Sequence, residues 1–140
     1  MRYGFAGKVL HVDLSHNTLT IEEPPEEFYR TYWGGSLMGL YYLMQFTPAK
    51  ADPFGPENTL TFAISAPTGL AISGQSRATA VAKSPLTGCV GDSQAGGFWP
   101  AELKFAGFDA IVIRGAAPRP VYLWVHDGQA ELRDATHLWG

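Results

Sequence analysis

Glycine and proline divide this sequence into short apolar runs, and that punctuation constrains the fold more than any other feature. Sixteen glycines and ten prolines are spread along 140 residues, and no apolar stretch approaches the roughly 18 residues of a membrane span. Apolar residues still make up 46% of the chain, which is enough for a hydrophobic core. We therefore expect one folded, loop-rich domain rather than a disordered chain.

Alternating apolar and polar residues indicate two hairpins, one near each end of the chain. Residues 7–23 alternate and turn at Ser15-His16-Asn17, and residues 120–135 turn at Asp127-Gly128, a strong hairpin signal. Apolar runs bounded by glycine, proline and serine predict three further strands, over residues 60–66, 78–84 and 109–115.

Helix signals lie between these strands. Pro24-Pro25-Glu26-Glu27 is typical of a helix start, and the apolar residues that follow have helical spacing until Gly34-Gly35 separates two short helices. Residues 100–107 begin with proline and end with glycine, which also predicts a short helix. The predicted fold class for residues 1–140 is α+β, with predominantly antiparallel sheets and short helices in a single domain.

Composition and charge exclude several functions. The net charge is −3 and there is no basic run, so nucleic-acid binding has little support. The N-terminus lacks the shape of a signal peptide, so we expect a cytoplasmic protein with no membrane segment. Cys89 is the only cysteine and has no neighbouring base, which favours a packed small hydrophobe. The four histidines show no metal-ligand spacing, so any metal must arrive with a cofactor or be held elsewhere.

The candidate binding residues lie in glycine-bearing loops. Loops over residues 65–77, 84–89 and 93–100 each adjoin a predicted strand, so we expect them to cluster at one end of the sheet. In the segment Gln94-Ala95-Gly96-Gly97 the glycines lack side chains, which would let a flat ligand touch the backbone. Arg77 could hold a phosphate through two hydrogen bonds. N–H groups entering the helix at Pro100 would add an anion site. The alternative is that Arg77 is a surface charge and the glycines are ordinary turns.

Ordered segments along the whole sequence resemble a known family. GKVLHVDL, WGGSLMGLYYL, PFGPENTLTFAISAPTG, SRATAVAKSPLTG, AGGFWPAELKFAGFDAIVIRG and PVYLWVHDGQAELRDATHLWG are similar, in order, to the N-terminal part of aldehyde:ferredoxin oxidoreductases. The resemblance implies a cofactor of tungsten, or molybdenum in some relatives, held by two pyranopterins. It implies oxidation of aldehydes to carboxylic acids, with electrons passing through a 4Fe-4S cluster to ferredoxin. Some similar enzymes act on aromatic thioesters in the reductive direction.

The resemblance also implies site residues. Arg77 matches the family's pterin-contacting arginine, and Gln94, Ala95 and Gly96, with Gly97, match its pterin-binding glycine segment. Gln94 departs from the Asn that is frequent in the family, which alters side-chain reach but leaves backbone contacts available. Pro100 replaces a small residue, which is tolerable because proline suits the first helical position.

In the family a second glycine-rich segment follows, and the two halves sandwich the cofactor with approximate two-fold symmetry. The 140-residue sequence lacks that half, the cluster cysteines and any residue that we assign to catalysis or to direct metal ligation. We therefore expect one half of a duplicated cofactor-binding domain that is inactive alone and has the remaining domains of the oxidoreductase as its partners. The alternative is a non-catalytic half-domain that docks on another subunit or forms a homodimer that mimics the internal two-fold.

Overall fold

The computed structural model describes residues 4–140. Within this range eight strands form, named β1 to β8 in chain order: Val9–Asp13, Thr18–Glu22, Leu60–Ile64, Ala78–Lys83, Val90–Ala95, Ala110–Arg114, Val121–His126 and Gln129–Asp134. The first six make one sheet in the order β2-β1-β6-β3-β4-β5, and β7 pairs with β8 in a separate hairpin. Neighbours are antiparallel except β1 and β6, which run parallel. The predicted α+β class with mostly antiparallel strands is confirmed.

In the described part of the chain, three short α-helices accompany the sheet: α1 (Glu26–Tyr32), α2 (Gly35–Phe46) and α3 (Trp99–Phe105), with a 3₁₀ turn at Thr136–Leu138. The predicted break at Gly34-Gly35 is confirmed, because both glycines have positive φ, +91° and +56°. A β-carbon on Gly34 would lie 2.2 Å from the Ile64 carbonyl oxygen, so the corner between α1 and α2 approaches strand β3 too closely for any other residue. None of the helices within residues 4–140 has the length and apolarity that crossing a membrane requires.

The large sheet has a packed core on each face. On one face, α1 and α2 cover residues of β1, β3 and β6 and bury Tyr29, Met38 and Tyr42. On the other face, Leu103 of α3 and Phe108 pack on a second cluster, together with apolar residues of the β7–β8 hairpin. Alternating side chains of the same central strands supply both clusters, as expected of a sheet covered on both sides.

A buried ion pair ties the N-terminal segment to the sheet. Lys104 Nζ lies 2.8 Å from Asp109 Oδ1, with both side chains almost wholly buried, 2% and 0% exposed. Asp109 also accepts hydrogen bonds from the backbone N–H groups of Ala6 and Gly7, and Lys104 donates another to the carbonyl oxygen of Gly4. The buried carboxylate therefore holds residues 4–7 across the start of β6, because each of its hydrogen bonds replaces solvation lost on burial.

Two local expectations were wrong. Ser93, Gln94 and Ala95, expected in a loop, belong to the edge strand β5, because they pair in register with Thr79 and its neighbours in β4. Cys89, expected to be packed, is exposed in the turn between β4 and β5.

Candidate functional site

One edge of the large sheet collects most of the predicted binding segments. The strand directions place the start of β4 and the end of β5 together, next to the end of β3 and the starts of β6 and β1. Residues 65–77 and 96–98 therefore meet at this edge, as expected. Loop 84–89 does not, because it joins the end of β4 to the start of β5 at the opposite edge. This edge is the end of the sheet at which strands start or finish, and it is distinct from the edge strand β5. We name the part of it formed by residues 65–77 and 94–98 the glycine edge.

Register brings Arg77 to the glycine pair. Ala78 lies opposite Ala95 and Thr79 opposite Gln94, so extending the register by one residue places Arg77 opposite Gly96. Residues directly opposite each other share a face of the sheet, and alternate residues do so as well. One face of the sheet therefore carries Arg77, Gln94 and Gly96, and α2 covers the same face further along β4. Ala95 lies on the other face.

The double glycine is open towards the surroundings. Gly96 has an ordinary negative-φ backbone, and a β-carbon built on it would meet only the Ser76 carbonyl oxygen, at 3.4 Å. Gly97 has a φ of +105°, with nothing within 4 Å of such a carbon. The turn thus explains the glycine at position 97, but packing within the described part of the chain does not explain the one at position 96. A ligand that touches the backbone would explain it.

The Arg77 side chain has no partner among residues 4–140. Its side chain is exposed, and within residues 4–140 its guanidinium forms no ion pair or hydrogen bond. Its carbonyl oxygen is occupied, since it accepts a 3.4 Å hydrogen bond from the Thr68 hydroxyl. The backbone at Arg77 is therefore held while its five N–H donors stay available for an anion.

Loop 65–77 has its own hydrogen bonds. The Gln75 amide accepts a hydrogen bond from the Gly69 N–H and donates one to the Leu70 carbonyl oxygen, at 2.8 and 2.5 Å. The Ser65 N–H donates to the Thr68 hydroxyl at 3.2 Å. These side chains close the loop on itself, so that the segment before Arg77 is preformed.

The expected anion site at the third helix is weaker than the sequence suggests. Helix α3 has seven residues and begins at Trp99, which puts Pro100 at its second position. Pro100 was predicted at the first position; at the second it is still compatible with the helix, but it has no N–H to offer to an anion. Beside it, Phe98 is 88% exposed and Trp99 is half exposed, so this end of the glycine edge carries an uncovered apolar surface.

An apolar cleft further along the same edge was not found from the sequence. It has a volume of about 750 Å³ and is lined mainly by Phe5, Tyr29, Trp33, the prolines at 24 and 25, and Ala66. Trp33 is 71% exposed and has a φ of +49°, which is unusual for a bulky residue. No local pattern could reveal this cleft, because its walls come from the N-terminal segment, α1 and the loop after β3.

Two buried tyrosines lie beneath this end of the fold. Burial, followed by the charge of Asp109, raises the pKa of Tyr29 far above its ordinary value, and its hydroxyl forms no hydrogen bond of good geometry within the described residues. Burial and a 2.9 Å hydrogen bond to Glu22 likewise raise the pKa of Tyr42. Both groups are held protonated, so they act as packing residues at neutral pH.

Within residues 4–140, no three His, Cys, Asp or Glu side chains come together in a way that could hold a metal ion.

The family follows from a match along nearly the whole sequence. Residues 9–140 match the model of the aldehyde ferredoxin oxidoreductase N-terminal domain. The chain therefore belongs to the aldehyde ferredoxin oxidoreductase family.

Two curated relatives agree with this assignment. The chain is 44% identical over 138 residues to the tungsten-containing aldehyde ferredoxin oxidoreductase of Pyrococcus abyssi, covering 99% of this chain and 23% of that protein. It is 38% identical over 141 residues to the WOR-like subunit of an aliphatic sulfonate oxidoreductase of Pyrococcus furiosus, covering 99% of this chain and 22% of the relative. The chain thus spans about a quarter of the length of the curated relatives that it matches.

A solved structure shows the same fold. The active-site complex BamBC of benzoyl coenzyme A reductase, determined with 1,5-dienoyl-CoA, superposes on the whole of this chain with a TM-score of 0.95. The identity is 38%, and the match covers 21% of that chain.

Proposed function

We propose that this chain forms the N-terminal part of a tungsten-pterin cradle in an enzyme that oxidises aldehydes to carboxylic acids. The observation that carries the proposal is the exposed Arg77 guanidinium, which has no partner among residues 4–140 and lies one residue beyond the Ala78–Ala95 pair, beside Gly96, a glycine that packing among those residues does not require. The tungsten-containing relatives support the choice of metal. Molybdenum in its place is an alternative that the same residues would accommodate.

Each residue of the cradle has a distinct role in this proposal. Arg77 would bind a pterin phosphate through two parallel hydrogen bonds, which the planar guanidinium favours. Gly96 and Gly97 would let the pterin edge reach the backbone, and the backbone of Ala95 would add contacts. Gln94, exposed on the face that it shares with Arg77, would offer its side-chain amide. The bound cofactor would supply the redox chemistry, and the chain would supply position and electrostatics.

The rest of the reaction depends on groups outside these 140 residues. A 4Fe-4S cluster, ferredoxin as the electron acceptor, and the remaining domains as partners are part of the proposal. With a single cysteine, the chain lacks the four thiolates that such a cluster needs. We therefore expect the chain alone to be inactive.

The test compares two exposed arginines at opposite edges of the sheet. The native protein, Arg77→Ala and Arg119→Ala would be produced in a host that makes tungsten pterin, and released pterin and tungsten would be measured per chain. We expect Arg77→Ala to lower both at least tenfold, since a charge-assisted bidentate contact is lost. Arg119 lies in the loop after β6, at the opposite edge, so its removal should change neither. Native pterin content in Arg77→Ala would refute the cradle.

A second function is favoured by one specific observation. Phe98 is 88% exposed at the glycine edge, and Leu70 and Ile72 in the adjacent loop are more than half exposed. Apolar surface of this kind marks interaction sites, so a half-domain that self-associates or docks on another subunit is the alternative function. Light scattering on the pterin-free protein tests it. A dimer that Phe98→Ser converts to a monomer would support this function, and a monomeric parent protein would count against it.

A further inference from the structure

Ser76, which neither the resemblance nor the relatives single out, connects the two parts of the glycine edge. Its hydroxyl donates a hydrogen bond to the Gly97 carbonyl oxygen, at 2.5 Å, across 21 residues of sequence. We infer that Ser76 is a positioning residue that holds the glycine pair at a fixed distance from Arg77 before any cofactor binds. This inference rests on the proposed function, because it assigns a role within the same cradle.

The glycine pair needs such a restraint. The paired register of β4 and β5 ends at Ala78 and Ala95, so Gly96 and Gly97 lie beyond the paired strands. Two consecutive glycines have more backbone freedom than any other dipeptide, and the positive φ of Gly97 is one of several conformations open to it. The Ser76 hydroxyl selects one of these conformations by fixing the direction of the Gly97 carbonyl group.

The residues on either side of Ser76 are themselves held. On one side, the Gln75 side chain closes the loop through Gly69 and Leu70. On the other, the Arg77 carbonyl oxygen accepts the Thr68 hydroxyl hydrogen bond, and Ala78 begins the paired strand. Ser76 is half-buried between these restraints, so its hydroxyl links a loop that is closed by its own hydrogen bonds to the glycine pair.

The Ser76 hydrogen bond orders the glycine pair before the cofactor binds. If Gly97 is already held, the cofactor meets a formed cradle and loses no affinity to ordering of the loop. Without the hydroxyl, binding must also order the glycine pair. Loss of one neutral hydrogen bond of this kind corresponds to an affinity about three- to tenfold lower.

The experiment uses Ser76→Ala, with Ser76→Thr as the conservative variant that keeps a hydroxyl. Two quantities would be measured in each protein. The first is the backbone order parameter of Gly97 in ¹⁵N-glycine-labelled protein made without tungstate. The second is the rate of pterin loss from protein made with tungstate. We expect Ser76→Ala to lower the order parameter from about 0.85 to below about 0.6. It should also speed pterin loss about three- to tenfold, and Ser76→Thr should restore both values.

Other outcomes separate this inference from the proposed function. An unchanged Gly97 order parameter in Ser76→Ala overturns the inference, because the hydroxyl then restrains nothing. A lowered order parameter with an unchanged rate of pterin loss overturns it too, since the restraint would be purely structural. Arg77→Ala, measured in parallel, tests the proposed function by itself. If Arg77→Ala loses pterin while Ser76→Ala behaves as the native protein does, the cradle stands and the role of Ser76 falls.

Discussion

The buried pair Lys104–Asp109 gives the sharpest test of how the fold is held together. Replacing Lys104 by Met keeps the length of the side chain and removes its charge. Asp109 then keeps the N–H groups of Ala6 and Gly7 but loses the only cation within hydrogen-bond reach of its carboxylate among residues 4–140. A buried charge deprived of its partner costs about 3–5 kcal/mol.

That cost can be read as a thermal shift. The entropy of unfolding is about 2.1 cal/mol/K per residue, so 1 kcal/mol corresponds to about 3.4 °C in a domain of this length. Lys104→Met should therefore lower the midpoint temperature of thermal unfolding by about 10–17 °C. Asp109→Asn should also destabilise the fold strongly, because it leaves the buried Lys104 ammonium group without its counter-charge.

The double variant distinguishes an ion pair from two independent packing effects. Lys104→Met combined with Asp109→Asn leaves no buried charge, and the amide oxygen can still accept a backbone hydrogen bond. We expect it to be more stable than either single variant, with a coupling free energy of about 2 kcal/mol or more from chemical denaturation. Single-variant costs below about 1 kcal/mol, or additive costs in the double variant, would refute the reasoning.

Two further predictions concern packing and pH. Gly34→Ala should cost about 3 kcal/mol or more in urea unfolding, because its β-carbon would lie 2.2 Å from a carbonyl oxygen on a left-handed backbone. Gly74→Ala shares the positive φ but meets nothing within 4 Å, so it should cost only about 1 kcal/mol; equal costs would contradict the account. For pH, the raised pKa of Tyr42 means that its stabilising contribution is complete below the unfolded value of 10.0 and is lost as pH rises above it. Above pH 10 each such tyrosine should cost about 1.4 kcal/mol per pH unit, so Tyr42→Phe should flatten the alkaline loss of stability measured by denaturant titration.

Local sequence signals predicted those elements that local physics determines. Both hairpins formed where alternation and turn residues placed them, with Asn17 and Asp127 in the left-handed conformation that such turns require. The helix break at Gly34 is a steric necessity, so it too could be predicted from the residue type.

Pairing between distant segments could not be predicted in the same way. Strand β5 reads VGDSQA, a composition with little intrinsic strand preference, and it is extended only because β4 pairs with it. The parallel pairing of β1 with β6 joins segments about a hundred residues apart, and no local pattern selects that partner. Lys104 and Asp109 look like surface charges in the sequence, and only the tertiary fold shows them to be buried.

The candidate site could be predicted only in part, for the same reason. Glycines and an arginine suggested a cradle, and the register of β4 and β5, which ends at Ala78 and Ala95, puts Arg77 opposite Gly96 when it is extended by one residue. Loop 84–89 was wrongly included, because its edge of the sheet depends on strand direction rather than on composition. Ser76 lies in the segment SRATAVAKSPLTG that carries the family resemblance, but its role could not be predicted, since a serine in a loop is ordinary until its partner is known.

The most direct measurement of the central claim is the pterin content of Gly96→Val. Position 96 has a negative φ and few neighbours, so the variant should fold with little loss of stability, yet its side chain would occupy the surface where the cofactor is proposed to reach the backbone. Gly88→Ala, on a strained backbone at the opposite edge, controls for stability. The account predicts at least tenfold less pterin in Gly96→Val and native content in Gly88→Ala. Native pterin content in a folded Gly96→Val protein would contradict it.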